Sequence, residues 1–189
     1  MNLDELLTRG VAEVLVEANL RRKLEAGQKL RLKLGIDPTS PAIHIGHAVA
    51  LRKLRQFQEL GHTVVLIVGD WTAQVGDPSG RDESRSRLTP EQTSANAAHF
   101  MEQVFKIVDR ERTEVRWQSE WFGSFKLEDA FNLMGRFTMA QMLSHETFRN
   151  RYDAGQPLTI LELMYPMLQG YDSVAIKSDV EFGGTDQKF

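Results

Sequence analysis

Two short apolar runs bracket an amphipathic one, and this pattern restricts the fold of the chain more than any other feature. Leu30–Ile36 reads as a buried strand, and Thr63–Gly69 (Thr-Val-Val-Leu-Ile-Val-Gly) is rich in β-branched residues without polar alternation. A run of the second kind is expected of a central strand buried on both faces. Between them, from about His44, Ala50, Leu51, Leu54, Phe57 and Leu60 recur at helical spacing until Gly61 stops the helix. Two such strands joined by a helix make a parallel pair, so the fold class is α/β with an open parallel sheet.

The remaining chain is read around that unit. Leu3, Leu7, Val11, Val14, Leu15 and Ala18 predict one amphipathic helix at the start, within a helical segment over residues 1–29 that ends in a polar link, Lys23–Lys29. Thr89-Pro90-Glu91-Gln92 is a helix start, and Ala97, Met101, Val104, Phe105 and Val108 form that helix's apolar face. Thr113–Trp117 reads as a third strand. Lys126–Asn150 reads as two helices broken near Gly135, inside a helical insertion over roughly residues 124–158. A second capping box, Thr159–Glu162, opens a helix that runs to about Asp172 and carries Pro166, which should kink it. Val180–Phe182 suits a short strand. The chain stops at Phe189 soon after that strand, which predicts that a longer protein continues.

Composition excludes several classes. There are 189 residues, enough for one domain with its own core, and no cysteine, so neither disulfides nor thiolate metal sites. The net charge of −3 argues against gripping nucleic acid by bulk electrostatics. The first residues have no cationic flank before a long apolar run, and no membrane span is found, so a cytoplasmic location is the default expectation.

Ligands of open parallel sheets bind beyond the carboxyl ends of the strands. Three segments follow predicted strands: Asp37–His47, Asp70–Arg87 and Gly183–Gln187. In the first, Pro38 and Pro41 force a turn, and His44 and His47 fall three apart on the first helical turn with Gly46 between them. That pair can be a surface cap, part of a metal site, or a donor pair for phosphate oxygens at a helix N-terminus. In the second, Asp77 lies in a glycine-flanked turn, a suitable place for a carboxylate that receives an amine, although a plain surface loop has the same composition. Arg81, Arg85 and Arg87 follow, either as a solvated face or as cations beside a phosphate site. On the Thr159 helix, Tyr165, Gln169 and Asp172 are spaced i, i+4, i+7 and share one face. The stripe is either an internal hydrogen-bond network or a pocket for a small polar ligand. In the third segment, glycines permit close backbone approach, and Asp186 can accept from ribose hydroxyls.

Together, Gly35-x-Asp37-Pro38-Thr39, His44-Ile45-Gly46-His47, Gly76-Asp77-Pro78-Ser79-Gly80, Tyr165-x-x-x-Gln169-x-x-Asp172 and Gly183-Gly184-Thr185-Asp186-Gln187 resemble the tyrosyl-tRNA synthetases, class I aminoacyl-tRNA synthetases of bacterial type. Five motifs in order across nearly the whole chain make the resemblance specific. It implies a Rossmann-like catalytic domain whose helical insertion forms a homodimer interface. It also implies tyrosine and ATP giving tyrosyl-adenylate and pyrophosphate, with Mg2+ arriving on the ATP, and then transfer to tRNA(Tyr). No resident metal or organic cofactor is implied. By motif position the catalytic residues are His44, His47, Thr39, Arg81 and Arg85, with lysine at the position of Arg81 in better-known members. Asp37, Gly46, Gly184 and Asp186 match the ATP site, Gly46 giving the adenine room. Asp77, Tyr165 and Gln169 match the ammonium site, Asp172 the phenol reader and Gln187 the reacting carboxylate end. Lys33 stands where many members have a tyrosine, and the expectation is that it pairs with Asp172. The family's second ATP motif, Lys-Met-Ser-Lys-Ser or a variant, and its anticodon-binding domains fall beyond Phe189. The rival readings are tryptophanyl-tRNA synthetase, a small nucleotidylyltransferase, and a non-catalytic RNA-binding module derived from a synthetase. The Tyr165-Gln169-Asp172 stripe argues against the first two, and the intact His44, His47, Asp77 and Gln187 against the third.

Overall fold

The computed structural model describes residues 2–78 and 89–187. Helices α1 (Leu3–Thr8) and α2 (Glu17–Glu25) lead into β1 (Arg31–Ile36), α3 (Ile45–Glu59) and β2 (Thr63–Val68). A short α4 (Thr72–Val75) and a long α5 (Pro90–Val104) precede β3 (Thr113–Trp117). Then come α6 (Ser119–Phe122), α7 (Leu127–Met134), α8 (Met139–Met142), α9 (Glu146–Asp153), α10 (Ile160–Ala175) and β4 (Val180–Phe182). The strands form one parallel sheet in the order β3-β2-β1-β4.

The central strand β2 shows why the sheet is sandwiched. Val64 and Leu66 enter one core with Leu32, Leu51, Leu54, Phe57, Phe100 and Val104, while Val65 and Ile67 enter another with Ile176. All of these β2 residues are fully buried, so β2 is covered on both faces. Each such side chain contributes about 1.5–3 kcal/mol, and a polar substitution on either face would be unfavourable. A further core of Phe122, Leu133, Met142, Phe148, Leu163, Met167 and Leu168 joins the helices that follow β3 to α10.

Three expectations need correction. The opening helix is two helices, because Gly10 and Val16 take left-handed backbone at φ 68° and 56°. Leu15, which continues the apolar spacing, is 63% exposed, so the pattern there does not mark a buried face; α2 also takes up the start of the expected link. Within Asp70–Arg87, α4 forms because Thr72 and Ala73 are buried under α10, while residues 79–88 lie outside the described residues. Lys126–Asn150 contains α7, α8 and the start of α9 rather than two helices; Thr138 and Gln141 cap α8 reciprocally just after the break at Gly135. The α10 capping box at Thr159 and Glu162 forms as expected, and the helix passes through Pro166 to Ala175.

Candidate active site

Four parallel strands end on one rim, and the chain beyond each end turns into the same region. Asp37 follows β1, Thr72 and Asp77 follow β2, Gln118 follows β3, and Gln187 follows β4. Hydrogen bonds between these segments tie the rim together.

The turn after β1 delivers His44 as the N-cap of α3. Its Nδ1 accepts from the Gly46 amide at 3.1 Å, and His47 Nδ1 accepts from the His44 amide at 3.2 Å. With both Nδ1 atoms accepting, the ring proton of each histidine sits on Nε2. The rings stack with centroids 3.8 Å apart. Partial burial, and then the neighbouring His44, hold the His47 pKa below the usual imidazole value, so it is a neutral donor at pH 7. A Cβ on Gly46 would meet His44 Cε1 at 2.9 Å, so a side chain there would displace the His44 ring. This intramolecular reason was not visible in the motif, which suggested room for adenine. Thr39 is exposed in the same turn, its amide donating to the Asp37 carbonyl at 2.7 Å.

A second group is buried beside it. Tyr165 Oη donates to Asp37 Oδ2 at 2.8 Å, and Thr72 Oγ1 donates to Asp37 Oδ1 at 2.6 Å. Gln118 Oε1 accepts from the Thr72 and Trp71 amides at 2.9 and 3.2 Å, and its Nε2 donates to Asp172 Oδ2 at 2.8 Å. Trp121 Nε1 donates to Asp172 Oδ1 at 3.1 Å. Gly69 leaves the space in which the Asp37 carboxylate and the Thr72 hydroxyl meet; a Cβ there would collide with both. Burial, followed by the Asp37 and Asp77 carboxylates, holds the Tyr165 hydroxyl far above the phenol range, so it stays a donor. Burial pushes the Asp172 carboxyl up to about 7, with Lys33, Gln118 and Trp121 acting in the opposite direction.

A third group crosses the rim. Gln169 Nε2 donates to Gln187 Oε1 at 2.9 Å, and Gln187 Nε2 donates to Asp77 Oδ2 at 3.0 Å. Asp186 lies in a 3-10 turn beside Gly184, where a Cβ would collide with its carboxylate. The stripe on α10 therefore keeps one face, with Tyr165 reaching the β1 end, Gln169 the β4 end and Asp172 the β3 end.

Lys33 departs from expectation. It is fully buried, yet its Nζ donates to Glu181 Oε1 at 2.7 Å and to the Gln169 carbonyl at 2.8 Å, not to Asp172. The register explains this: Lys33 pairs with Glu181 across β1 and β4, so both side chains leave the sheet on one face. Ser173 Oγ holds the other Glu181 oxygen at 2.8 Å. Lys33 acts on Asp172 through its field alone, lowering that carboxyl's pKa. Arg81 and Arg85 lie outside the described residues. Thr72, Gln118, Trp121 and Glu181 were not foreseen. Gln118 and Thr72 were within reach of the strand-end rule, because they follow β3 and β2; Trp121 and Glu181 belong to no motif.

The fold is Rossmann-like α/β. Residues 25–189 match the family of class I tRNA synthetases, the W and Y group, and the chain belongs to that family. It is 64% identical over 187 residues to a tyrosine–tRNA ligase of Dehalococcoides mccartyi (strain CBDB1), covering 99% of this chain and 47% of that protein. Against a tyrosine–tRNA ligase of Nitratidesulfovibrio vulgaris the identity is 52% over 185 residues, covering 98% and 46%. Among solved structures, tyrosyl-tRNA synthetase complexed with L-tyrosine from Archaeoglobus fulgidus superposes with a TM-score of 0.76 at 25% identity, over 97% of this chain and 55% of that one. The chain spans about half the length of the curated relatives it matches.

Proposed function

We propose that the full-length protein is a tyrosine–tRNA ligase, which activates tyrosine with ATP and passes it to tRNA(Tyr). The observation that carries this reading is the proximity of two sites of opposite preference. One is a histidine pair at a helix N-terminus with both Nε2–H groups left to donate, suited to phosphate. The other is the set of carboxylates of Asp37, Asp77 and Asp172, all of which act on the buried Tyr165 hydroxyl. An amino acid whose ammonium meets Asp77, Tyr165 and Gln169 and whose phenol donates to Asp172 fits that set. Its carboxylate then lies toward Gln187 and the histidines. The similarity to ligases of the same specificity points the same way.

In the proposed reaction a tyrosine carboxylate oxygen attacks the α-phosphorus of ATP. The bond from that phosphorus to the bridging oxygen of the β-phosphate breaks, and pyrophosphate leaves with the electron pair. The terminal ribose hydroxyl of tRNA then attacks the tyrosyl carbonyl and releases AMP. No side chain forms a bond, so the residues work by position and charge. His44 and His47 donate to the phosphate oxygens through Nε2–H, helped by Thr39 and by Arg81 and Arg85. Gly184 and Asp186 receive the ribose, Gly46 keeps the cradle open, and Mg2+ enters with ATP. Lys33, anchored by Glu181, keeps a positive field on Asp172 and favours its ionised form; unchanged tyrosine affinity and selectivity in Lys33→Ala would remove it from the site. A carboxylate built to accept the phenol excludes phenylalanine by about ten-thousandfold, because its buried groups go unpaired.

We also infer that residues 124–158 form a homodimer interface and that the enzyme works in the cytoplasm. Leu127 and Phe131, four apart on α7, are 68% and 59% exposed, and among the described residues no helix is long and apolar enough to cross a membrane. The test of the activity is amino-acid-dependent exchange of pyrophosphate into ATP by the full-length protein. Exchange with tyrosine is expected; exchange with tryptophan at an equal rate, or none with tyrosine, refutes the reading.

A further inference from the structure

The turn that carries the histidine pair has little internal bonding. Pro38 and Pro41 lack amide protons, and within the turn the Thr39 amide bonds the Asp37 carbonyl at 2.7 Å. The side-chain bonds and stacking of His44 and His47 join the two rings to each other and to the start of α3. The turn is the stretch of chain that joins the histidines to Asp37.

Helix α5 holds the turn from outside at three points. Asn96, Phe100 and Gln103 are spaced i, i+4, i+7 and so share one helix face. Asn96 Nδ2 donates to the Pro38 carbonyl at 3.0 Å. The buried Phe100 ring packs edge-on against His47, with centroids 5.3 Å apart. Gln103 Nε2 donates to the Pro41 carbonyl at 2.7 Å and to the His99 carbonyl at 3.0 Å, while its Oε1 accepts from the Ile43 amide at 3.3 Å. Gln103 thus supplies both a donor and an acceptor to the two residues that flank Ala42. Phe100 supplies an apolar wall that contributes to the burial of His47.

We propose that Asn96, Phe100 and Gln103 are positioning residues for the phosphate site, setting where the His44–His47 pair stands relative to the bound amino acid. This rests on the reading of that pair as the binder of ATP phosphates. None of the three touches a reacting atom; each acts through the backbone of the turn or through the His47 ring. In a reaction driven by position, displacement of about 1 Å lowers the rate about a hundredfold, so small changes in the turn are read directly in turnover.

The test is steady-state pyrophosphate exchange by the full-length protein with ATP and tyrosine varied separately, alongside thermal unfolding. In Gln103→Met, which keeps the volume and removes both hydrogen bonds to the turn together with the one to the His99 carbonyl, kcat/KM for ATP is expected to fall about tenfold or more while KM for tyrosine stays within about twofold. Gln103→Glu keeps an acceptor for the Ile43 amide and is expected to recover part of the loss. Asn96→Ala, at a half-buried position, is expected to show the same split in milder form and decides the matter where Gln103→Met does not fold. Glu102→Gln, on the exposed face of α5, should leave every parameter unchanged. Unaltered kinetics in both Asn96→Ala and Gln103→Met, or parallel losses for ATP and tyrosine that follow lost stability, would overturn the proposal while leaving the activity standing. Absence of tyrosine-dependent exchange in the unmodified protein would remove both.

Discussion

At the scale of single residues, chemistry depends on groups whose ordinary behaviour the fold has altered. Asp172 is the clearest case. Its carboxyl is pushed up to about 7 by burial, so near neutral pH it lies between its two forms. Raised pKa in the folded state means that ionisation disfavours folding, and this penalty grows as pH rises from about 4, the unfolded value, to about 7. The ionised form is nevertheless the better acceptor for a phenol. We therefore expect kcat/KM for tyrosine to rise with pH through about 7 and then level off, and the step to vanish in Asp172→Asn. Stopped-flow or exchange kinetics across pH 5.5–8.5 (a range of about one to two units either side) would read this. A profile identical in both proteins would exclude Asp172 as its source. Gly46 gives a second prediction at this scale. A Cβ at Gly46 would push the His44 ring off its cap, so Gly46→Ala should lower turnover about tenfold or more, with tyrosine binding preserved. Calorimetric tyrosine titration beside exchange kinetics separates the two effects. Part of this scale was legible: of the residues singled out by motif, Tyr165 bonds Asp37, and Gln187 bonds Gln169 and Asp77. The partner of Lys33 was not, because the sequence does not show which strand lies beside β1. Only the pairing of β1 with β4 brings Glu181 across from it.

At the scale of elements, part of the bonding across the rim comes from residues that no motif contains. Gln118 bonds the backbone at the start of α4 and the carboxylate on α10, so it links β3, α4 and α10. Gln118→Ala leaves two amides and a carboxylate without this contact in a buried setting, and is expected to destabilise by about 2–4 kcal/mol. Urea denaturation of the full-length protein checks this; a change below about 0.5 kcal/mol would show that water replaces the side chain. The elements themselves were legible to different degrees. β2 and β3 could be read directly, as short segments rich in β-branched and aromatic residues, and α5 and α10 from their capping boxes. The first helix misled because Leu15 continues an apolar spacing that Gly10 and Val16 interrupt. Periodicity records which residues are apolar; a left-handed backbone position can end the helix regardless.

At the scale of the whole molecule, the parallel sheet accounts for why segments distant in sequence share one site. Four strands pointing the same way must end together, and the chain has to cross the same rim after each. The α/β class followed from the pattern of strand and helix, whereas the strand order did not, because hydrophobic runs do not identify their neighbours. The exposed Leu127 and Phe131 face belongs to this scale as well. If it forms the proposed homodimer interface, Phe131→Asp should shift the full-length protein toward monomer in analytical ultracentrifugation. An unchanged sedimentation profile would place the interface elsewhere.

The central proposal is that the full-length protein activates an amino acid by position, with no side chain forming a bond. Mass spectrometry of the full-length protein quenched after incubation with tyrosine and ATP tests it most directly. The account predicts tyrosyl-adenylate released as a free small molecule and polypeptide of unaltered mass. Polypeptide heavier by a tyrosyl or adenylyl group, or no adenylate at all, would contradict it.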